Sequence, residues 1–247
     1  MPSEVSGVPG RSPSGTEAKE SGYLPKAFRL VHTALWKTRE KHGEAREKED
    51  AMVRAGLTTE RLVRAAAELA DEVGFEQVTV SALARRFGVK VASLYSHLKN
   101  SQDLRTRIAL LALEELADRA ADALAGRAGK DALTALANVY RDYAREHPGR
   151  YTAARLPLDP ETAAASAGVR QARMTRALLR GYDLAEPDQT HAVRLLGSVF
   201  HGYVSLEAAG GFSHSAPGSD ESWARILDAL DSLLRTWPAP GAGHPHP

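Results

Sequence analysis

No cysteine occurs anywhere in the 247 residues. Disulfide staples, thiolate metal sites and cysteine nucleophiles are therefore excluded, and this usage fits a reducing compartment, so the cytoplasm is the expected location. No stretch of about 18 apolar residues exists, and the N-terminus lacks a basic patch followed by an apolar run, so neither membrane insertion nor secretion is expected. Proline is missing between Pro25 and Pro148, which leaves that span free for long helices. The one β-branched cluster, Val78-Thr79-Val80, is too short to pair usefully, and an all-α fold follows. An excess of either charge is also lacking. Lys and Arg number 32 against 31 Asp and Glu, a formal net charge of +1, so binding to a polyanion needs a local concentration of positive charge.

Motifs that carry catalysis are missing as well. There is no HExxH, GxSxG, ExxH pair or phosphate loop, and an enzyme built on a helical bundle is the weaker reading. His191 and His201 have no metal-ligand spacing, and His244-Pro245-His246 is too short a tract to argue from. Neither a metal nor a cofactor is expected.

What is present reads as helix punctuated by proline and glycine. Residues 1–51 divide into a Ser/Gly/Pro/Glu-rich stretch to Gly22, expected to be disordered, and a segment in which Leu24, Phe28, Val31 and Leu35 recur at helical spacing before the mixed-charge run Lys37 to Asp50. That run reads first as a solvated helix and second as an arm adding phosphate contacts; a start at Met52 is a third reading. Thr58 or Thr59 can cap a helix whose stripe is Leu62, Ala66, Leu69 and Val73, closed by Gly74. Thr79 is placed to cap a second helix with Val80, Leu83, Ala84 and Phe87 on one face, and Gly88 permits a tight turn. A short third helix is expected from about Lys90 to His97, with Leu94 and Leu98 inward. Two short helices about a glycine turn form a helix-turn-helix. From Gln77 to Gln102 the sequence holds Arg85, Arg86, Lys90, His97 and Lys99 but no Asp or Glu, the local charge that DNA phosphates favour.

The run LARRFGVKVASLYSHLKNSQDL, Leu83 to Leu104, resembles the DNA-binding domain of the tetracycline-repressor (TetR) family, with its Gly-Val turn and Leu-Tyr-x-His recognition helix. The likeness covers roughly Leu57 to Ala117. It implies that Ser81, Lys90, Val91 and Ala92 face base edges, and that Thr79, Ser93, Tyr95, His97 and Lys99 hold phosphates. Ser101 stands where the family often has Lys, and Lys99 is placed to take over that contact. Without the motif, Tyr95 reads equally well as a half-buried packing residue.

Downstream, helices are expected at roughly Gln102 to Gly126, Asp131 to Glu146, Thr162 to Arg180, Asp188 to Ala209 and Ser219 to Trp237. The stretch HGYVSLEAAGGF, His201 to Phe212, resembles a C-terminal domain of WHG type found in some TetR-family regulators. It implies dimerisation and ligand sensing. The expected dimer face is the heptad-like stripe Trp223, Ile226, Leu227, Leu230, Leu233, Leu234 and Trp237, joined to the helix before it, where Gly197 and Gly202 allow close approach. Candidate effector contacts are Tyr140, Tyr143, His147, Tyr151, Arg155, Met174, Phe200, His201 and Tyr203, the polar-tipped or adaptable residues small-molecule pockets use; solid core is the competing reading of each.

The expected organisation is thus an N-terminal extension (1–51), a helix-turn-helix domain (52–117), a sensing and dimerisation domain (118–237) and a disordered tail (238–247). The resemblance implies a homodimeric repressor, released from a palindromic double-stranded operator by a small-molecule effector. A ligand-insensitive DNA binder or an activator is the alternative, and a cavity among the C-terminal helices discriminates the first of these.

Overall fold

The computed structural model describes residues 56–237; the expectations for 1–51 and for the tail lie outside the described residues. Ten α-helices follow one another there: α1 Thr59–Val73, α2 Val80–Phe87, α3 Val91–Leu94, α4 Ser101–Leu124, α5 Gly129–Glu146, α6 Pro148–Ala153, α7 Pro160–Ala165, α8 Gly168–Leu179, α9 Glu186–Ala208 and α10 Ser219–Arg235, with single 3-10 turns at Phe75–Gln77 and Arg180–Tyr182. The all-α expectation holds throughout this span.

Local chemistry sets the starts and stops. Of the two candidate threonines, Thr58 caps α1 by accepting the Arg61 N–H at 3.2 Å. Thr79 caps α2 through the Ala82 N–H at 3.1 Å. Gly88 ends α2 at φ 65°, ψ 26°, a left-handed conformation that a side chain disfavours. Proline opens α6, α7 and α9 in the first helical turn, where its missing N–H costs nothing. The single helix expected from Thr162 to Arg180 is two helices. Ser166 Oγ donates to the Ala163 carbonyl and accepts the Gly168 N–H, and this local bonding competes with the helical ladder.

Two main cores result. Leu62, Phe75, Leu83, Leu94, Leu104 and Ile108 close the N-terminal unit, while Leu133, Leu179, Leu196, Phe200, Trp223 and Leu234 close the C-terminal one. Full burial of each such side chain stabilises by about 1.5–3 kcal/mol. The helix α4 contributes to both, through Leu104 and Ile108 at one end and Ala120 at the other.

A short element absent from the sequence reading ties the units together. Helix α6 lies against α1 so closely that a Cβ on Gly149 would fall 2.0 Å from the Ala70 carbonyl carbon and oxygen. Ala153 of α6 is fully buried in the N-terminal core. A boundary at residue 117 therefore divides the chain but not the packing.

The α10 stripe is a correction. Trp223, Leu227, Leu230 and Leu234 are at most 7% exposed within the single chain, packed into the chain's own core with Ile226 and Trp237 half-buried beside them. The stripe's heptad-like spacing faces this chain's own α5, where the Trp223 Nε1–H also donates to Asn138 Oδ1 at 2.8 Å. Of the expected interface, Leu233 alone is substantially exposed. On α9, Leu196, Phe200, Tyr203 and Val204 point inward, whereas Leu206 is 56% exposed and nothing lies within 4 Å of a Cβ placed on Gly197 or Gly202.

Candidate nucleic-acid interface

Helices α2 and α3 pack against α1 through Val80, Leu83, Ala84 and Leu94, all buried. Their opposite faces are open to solvent. Thr79, Ser81, Lys90, Val91, Ala92, Tyr95 and Lys99 are exposed, and Ser93 and His97 are half-buried at the edge of the same surface. The nine residues singled out from the sequence thus lie along α2, α3 and the turn that follows.

The third helix is shorter than its expected Lys90 to His97. Lys90 is the N-cap, the α-helix ends at Leu94, and Tyr95–His97 continue as a turn. Ser96 Oγ donates to the Ser93 carbonyl at 2.8 Å, an alternative to the helical ladder. Two hydrogen bonds from the His97 and Leu98 N–H groups to the Leu94 carbonyl, both 3.0 Å, hold that turn. Tyr95 is 50% exposed, so half of its surface is open on this face.

Two features of this surface went unread in the sequence. Asn100 caps α4 by accepting the Asp103 N–H at 2.8 Å, while Asp103 Oδ2 accepts the Lys99 N–H at 3.0 Å; the reciprocal pair fixes Lys99 in place. The spacing Asn-x-x-Asp before an apolar stripe was the available signal. Burial pushes the Asp103 carboxyl upward, but the Lys99 N–H and the Arg107 guanidinium outweigh it and hold it below its ordinary value. The second feature is that Arg86 is not a free cation. Its guanidinium meets Glu72 at 2.7 Å and Glu68 at 3.2 Å on α1. Arg85, Lys90 and Lys99 carry the unpaired charge of this face among the described residues.

An exposed glycine-turned helix pair with unpaired cations, apolar Val91 and Ala92 at the head of the recognition helix and hydroxyls around it is what DNA readout requires. Comparison with known proteins agrees. A family model described as bacterial regulatory proteins, tetR family, matches residues 62–108, and one described as Tetracyclin repressor-like, C-terminal domain, matches 133–230. The chain is 33% identical to the uncharacterized HTH-type transcriptional regulator YobS of Bacillus subtilis over 74% of this chain and 92% of that relative. The chain belongs to the TetR family. It is also 37% identical to the uncharacterized HTH-type transcriptional regulator Rv0681 of Mycobacterium tuberculosis, over 63% of this chain and 72% of that one. Among solved structures, a TetR variant of Acinetobacter baumannii in complex with minocycline superimposes with TM-score 0.57 at 23% identity, covering 74% of this chain and 99% of that one. The protein is a sequence-specific DNA-binding transcriptional regulator, and its class is regulatory rather than catalytic. No helix among the described residues is long and apolar enough to cross a membrane.

In the C-terminal bundle of this TetR-family chain the expected effector contacts separate into two groups. Most of them bond to one another or to nearby polar groups. The Tyr151 hydroxyl meets His201 Nδ1 at 2.6 Å, Tyr140 donates to Gln171, Tyr143 donates to Glu115 at 2.6 Å, Arg155 to Ser205 and Tyr203 to the Ser219 carbonyl. Phe200 packs between Tyr140 and Trp223, its ring tilted to both. Burial pushes the Tyr140 hydroxyl up to about 12 and pushes the His201 imidazole down. His147 joins a polar cluster with Asp71 and Arg119. Met174 is different. It lines a cleft of about 390 Å³ between the C-terminal end of α4, the start of α5 and α8, whose walls are Leu124, Ala132 and Leu178.

Proposed function

We propose that the protein is a homodimeric cytoplasmic repressor that leaves a palindromic operator when a small molecule occupies its C-terminal bundle. The observation that carries this reading is the continuity of α4. It begins at the Asn100 cap beside the recognition helix and ends at Leu124 in the wall of the cleft. Its 24 residues form one rod of about 36 Å, so an occupant that shifts one end displaces the other. The Acinetobacter relative, solved with minocycline, is a regulator of this fold with a small molecule bound. The cleft also favours the sensing reading over a ligand-insensitive DNA binder.

A second copy is the partner that the open side of α9 suits. Gly202 and Leu206, one turn apart, are exposed together there, with Leu233 of α10 exposed as well. Two such faces related by a two-fold axis bury each other, and the recognition helices then address half-sites about 34 Å apart. Ser81, Lys90, Val91 and Ala92 read bases in this arrangement, while Thr79, Ser93, Tyr95, His97 and Lys99 hold phosphates.

Footprinting on DNA flanking the protein's own gene, with light scattering of the free protein, tests the reading. A palindromic protected site and a dimeric mass are expected. A non-palindromic footprint from a monomer would overturn it.

A further inference from the structure

The molecule carries an arginine ridge beside the Met174 cleft, and only part of it is engaged in ion pairs. Arg170, Arg173 and Arg176 recur along α8, and Arg180 caps its C-terminal end. Arg170 is paired with Glu114 at 2.9 Å and Asp118 at 2.7 Å, and Arg176 with Glu186 at 3.4 Å. Arg173 and Arg180 have no carboxylate partner among the described residues. On the opposite rim of the cleft Arg127 donates to the Ala123 carbonyl and likewise has no carboxylate. Arg127 borders the slot itself, and Arg173 and Arg180 border the groove beside it.

The slot and the ridge adjoin. Met174 and Ala177 line both the 390 Å³ cleft and a second groove of about 540 Å³ that runs past Arg173 and Arg180 to the start of α9. On α8 the two clefts occupy adjacent helical faces, meeting at those two residues. Met174 is the adaptable side chain of the pair, and thioethers re-shape to fit apolar bodies of differing outline. The cleft volume lies at the small end of the ~300–1,000 Å³ range of ligand sites, which suits a medium-length hydrocarbon rather than a large polycycle.

We propose that this site takes an amphipathic anion: an apolar chain in the slot by Leu124, Ala132, Met174 and Leu178, with a carboxylate or phosphate head held by Arg173 and Arg180. Guanidinium groups bind both heads through paired N–H donors, and a neutral or cationic head forfeits those bonds. Because the slot's wall includes α4, the occupant would act on the rod that carries the recognition helix. The inference rests on the small-molecule sensing proposed above and names the chemical class of the effector.

The test uses the full chain and four amphiphiles of one chain length below their micellar concentrations: decanoate, decyl phosphate, decanol and decyltrimethylammonium. Calorimetry should show at least one of the anions binding about tenfold or more tighter than decanol, since hydrogen bonds to charged groups contribute about 1.5–3 kcal/mol, and the cation binding weakest. Which anion prevails separates a carboxylate from a phosphate head. The Arg173→Gln/Arg180→Gln variant should lose the anion preference while binding decanol as before. Ala121→Trp, which fills the slot from an exposed position on α4, should abolish binding of all four with an unchanged circular-dichroism melting curve. Equal affinity for decanol and both anions, no binding at all, or a preference surviving in the double glutamine variant would overturn the proposal. Operator release, followed by fluorescence anisotropy, is read separately. Tight anion binding without release leaves the site standing and sinks the sensing reading. No anion binding, with release by another compound, does the reverse.

Discussion

Asp71 on α1 accepts the backbone N–H of Arg150 at 2.9 Å, and the same carboxylate lies 3.1 Å from His147 Nδ1 and 3.0 Å from Arg150 Nε. Arg150 in turn reaches Glu115 on α4 at 3.2 Å. One carboxylate of the DNA-binding unit thus anchors the loop and short helix that the C-terminal bundle presents to it. The backbone contact behind it is just as tight, because α6 approaches α1 at Gly149. Gly149→Ala should cost about 1–3 kcal/mol or more, the usual penalty for overpacking, since the obstacle is the Ala70 carbonyl rather than a movable side chain. Urea denaturation measures it; a variant as stable as the parent would mean that α6 can lift off α1 freely.

On the DNA face, Tyr95→Ala and Lys99→Ala should weaken binding to every sequence alike, whereas Lys90→Ala should alter which base is preferred. Phosphate contacts carry no sequence information. Loss of the Lys99 contact should also reduce the slope of log K against log salt by about 0.9. Anisotropy titrations over a salt series, on the operator and on a scrambled duplex, read both effects. A changed preference in Tyr95→Ala with none in Lys90→Ala would reverse the assignment.

The dimer prediction follows the corrected geometry. Leu206→Glu places a charge on an already exposed position, so the monomer should fold while dimerisation fails; light scattering should give half the parent mass at an unchanged helical content. Leu230→Arg should behave otherwise. Its side chain belongs to the chain's own core, and an unpaired charge there should cost about 3–5 kcal/mol and melt the protein rather than merely split it. A folded, monomeric Leu230→Arg together with a dimeric Leu206→Glu would restore the α10 stripe as the interface.

Acid stability should report on Glu207. The Arg141 guanidinium hydrogen-bonded to it, with Arg145 and Ser219 nearby, holds its carboxyl down to about 2 from an ordinary 4.5. A depressed folded value means that the pairing stabilises the protein fully above about 4.5 and that this contribution drains away as pH falls towards about 2. Melting temperature followed across that window should fall steeply in the parent. Glu207→Gln should start lower and fall less. Parallel curves would place the acid sensitivity elsewhere.

The helix-turn-helix was legible because every signal for it is local: caps at Thr58 and Thr79, the turn at Gly88 and the inward Leu83 and Leu94 all lie within a few residues of what they control. The ties between units were not. Asp71 and Arg150 are 79 residues apart, and no periodicity links them. The α10 stripe failed for a related reason. A helix face written as Trp223, Leu227, Leu230 and Leu234 is apolar whether it meets α5 or a partner, and spacing holds no information about which. The polar candidates of the bundle were likewise ambiguous: Tyr151 and His201 satisfy each other, and a sequence shows the two groups but not that they meet.

The pairing of Arg86 with Glu68 and Glu72 has a consequence for how the protein searches a genome. Sequence-independent attraction to DNA grows with each phosphate neutralised, and it sets how long a protein lingers on irrelevant duplex. By spending one of the cations of the α2–α3 surface on α1, the fold weakens that background hold while leaving the base-reading side chains untouched. Operator and random duplex forgo the same phosphate contact, so discrimination between them rests with the base-reading side chains, while the hold on any DNA becomes less sensitive to salt.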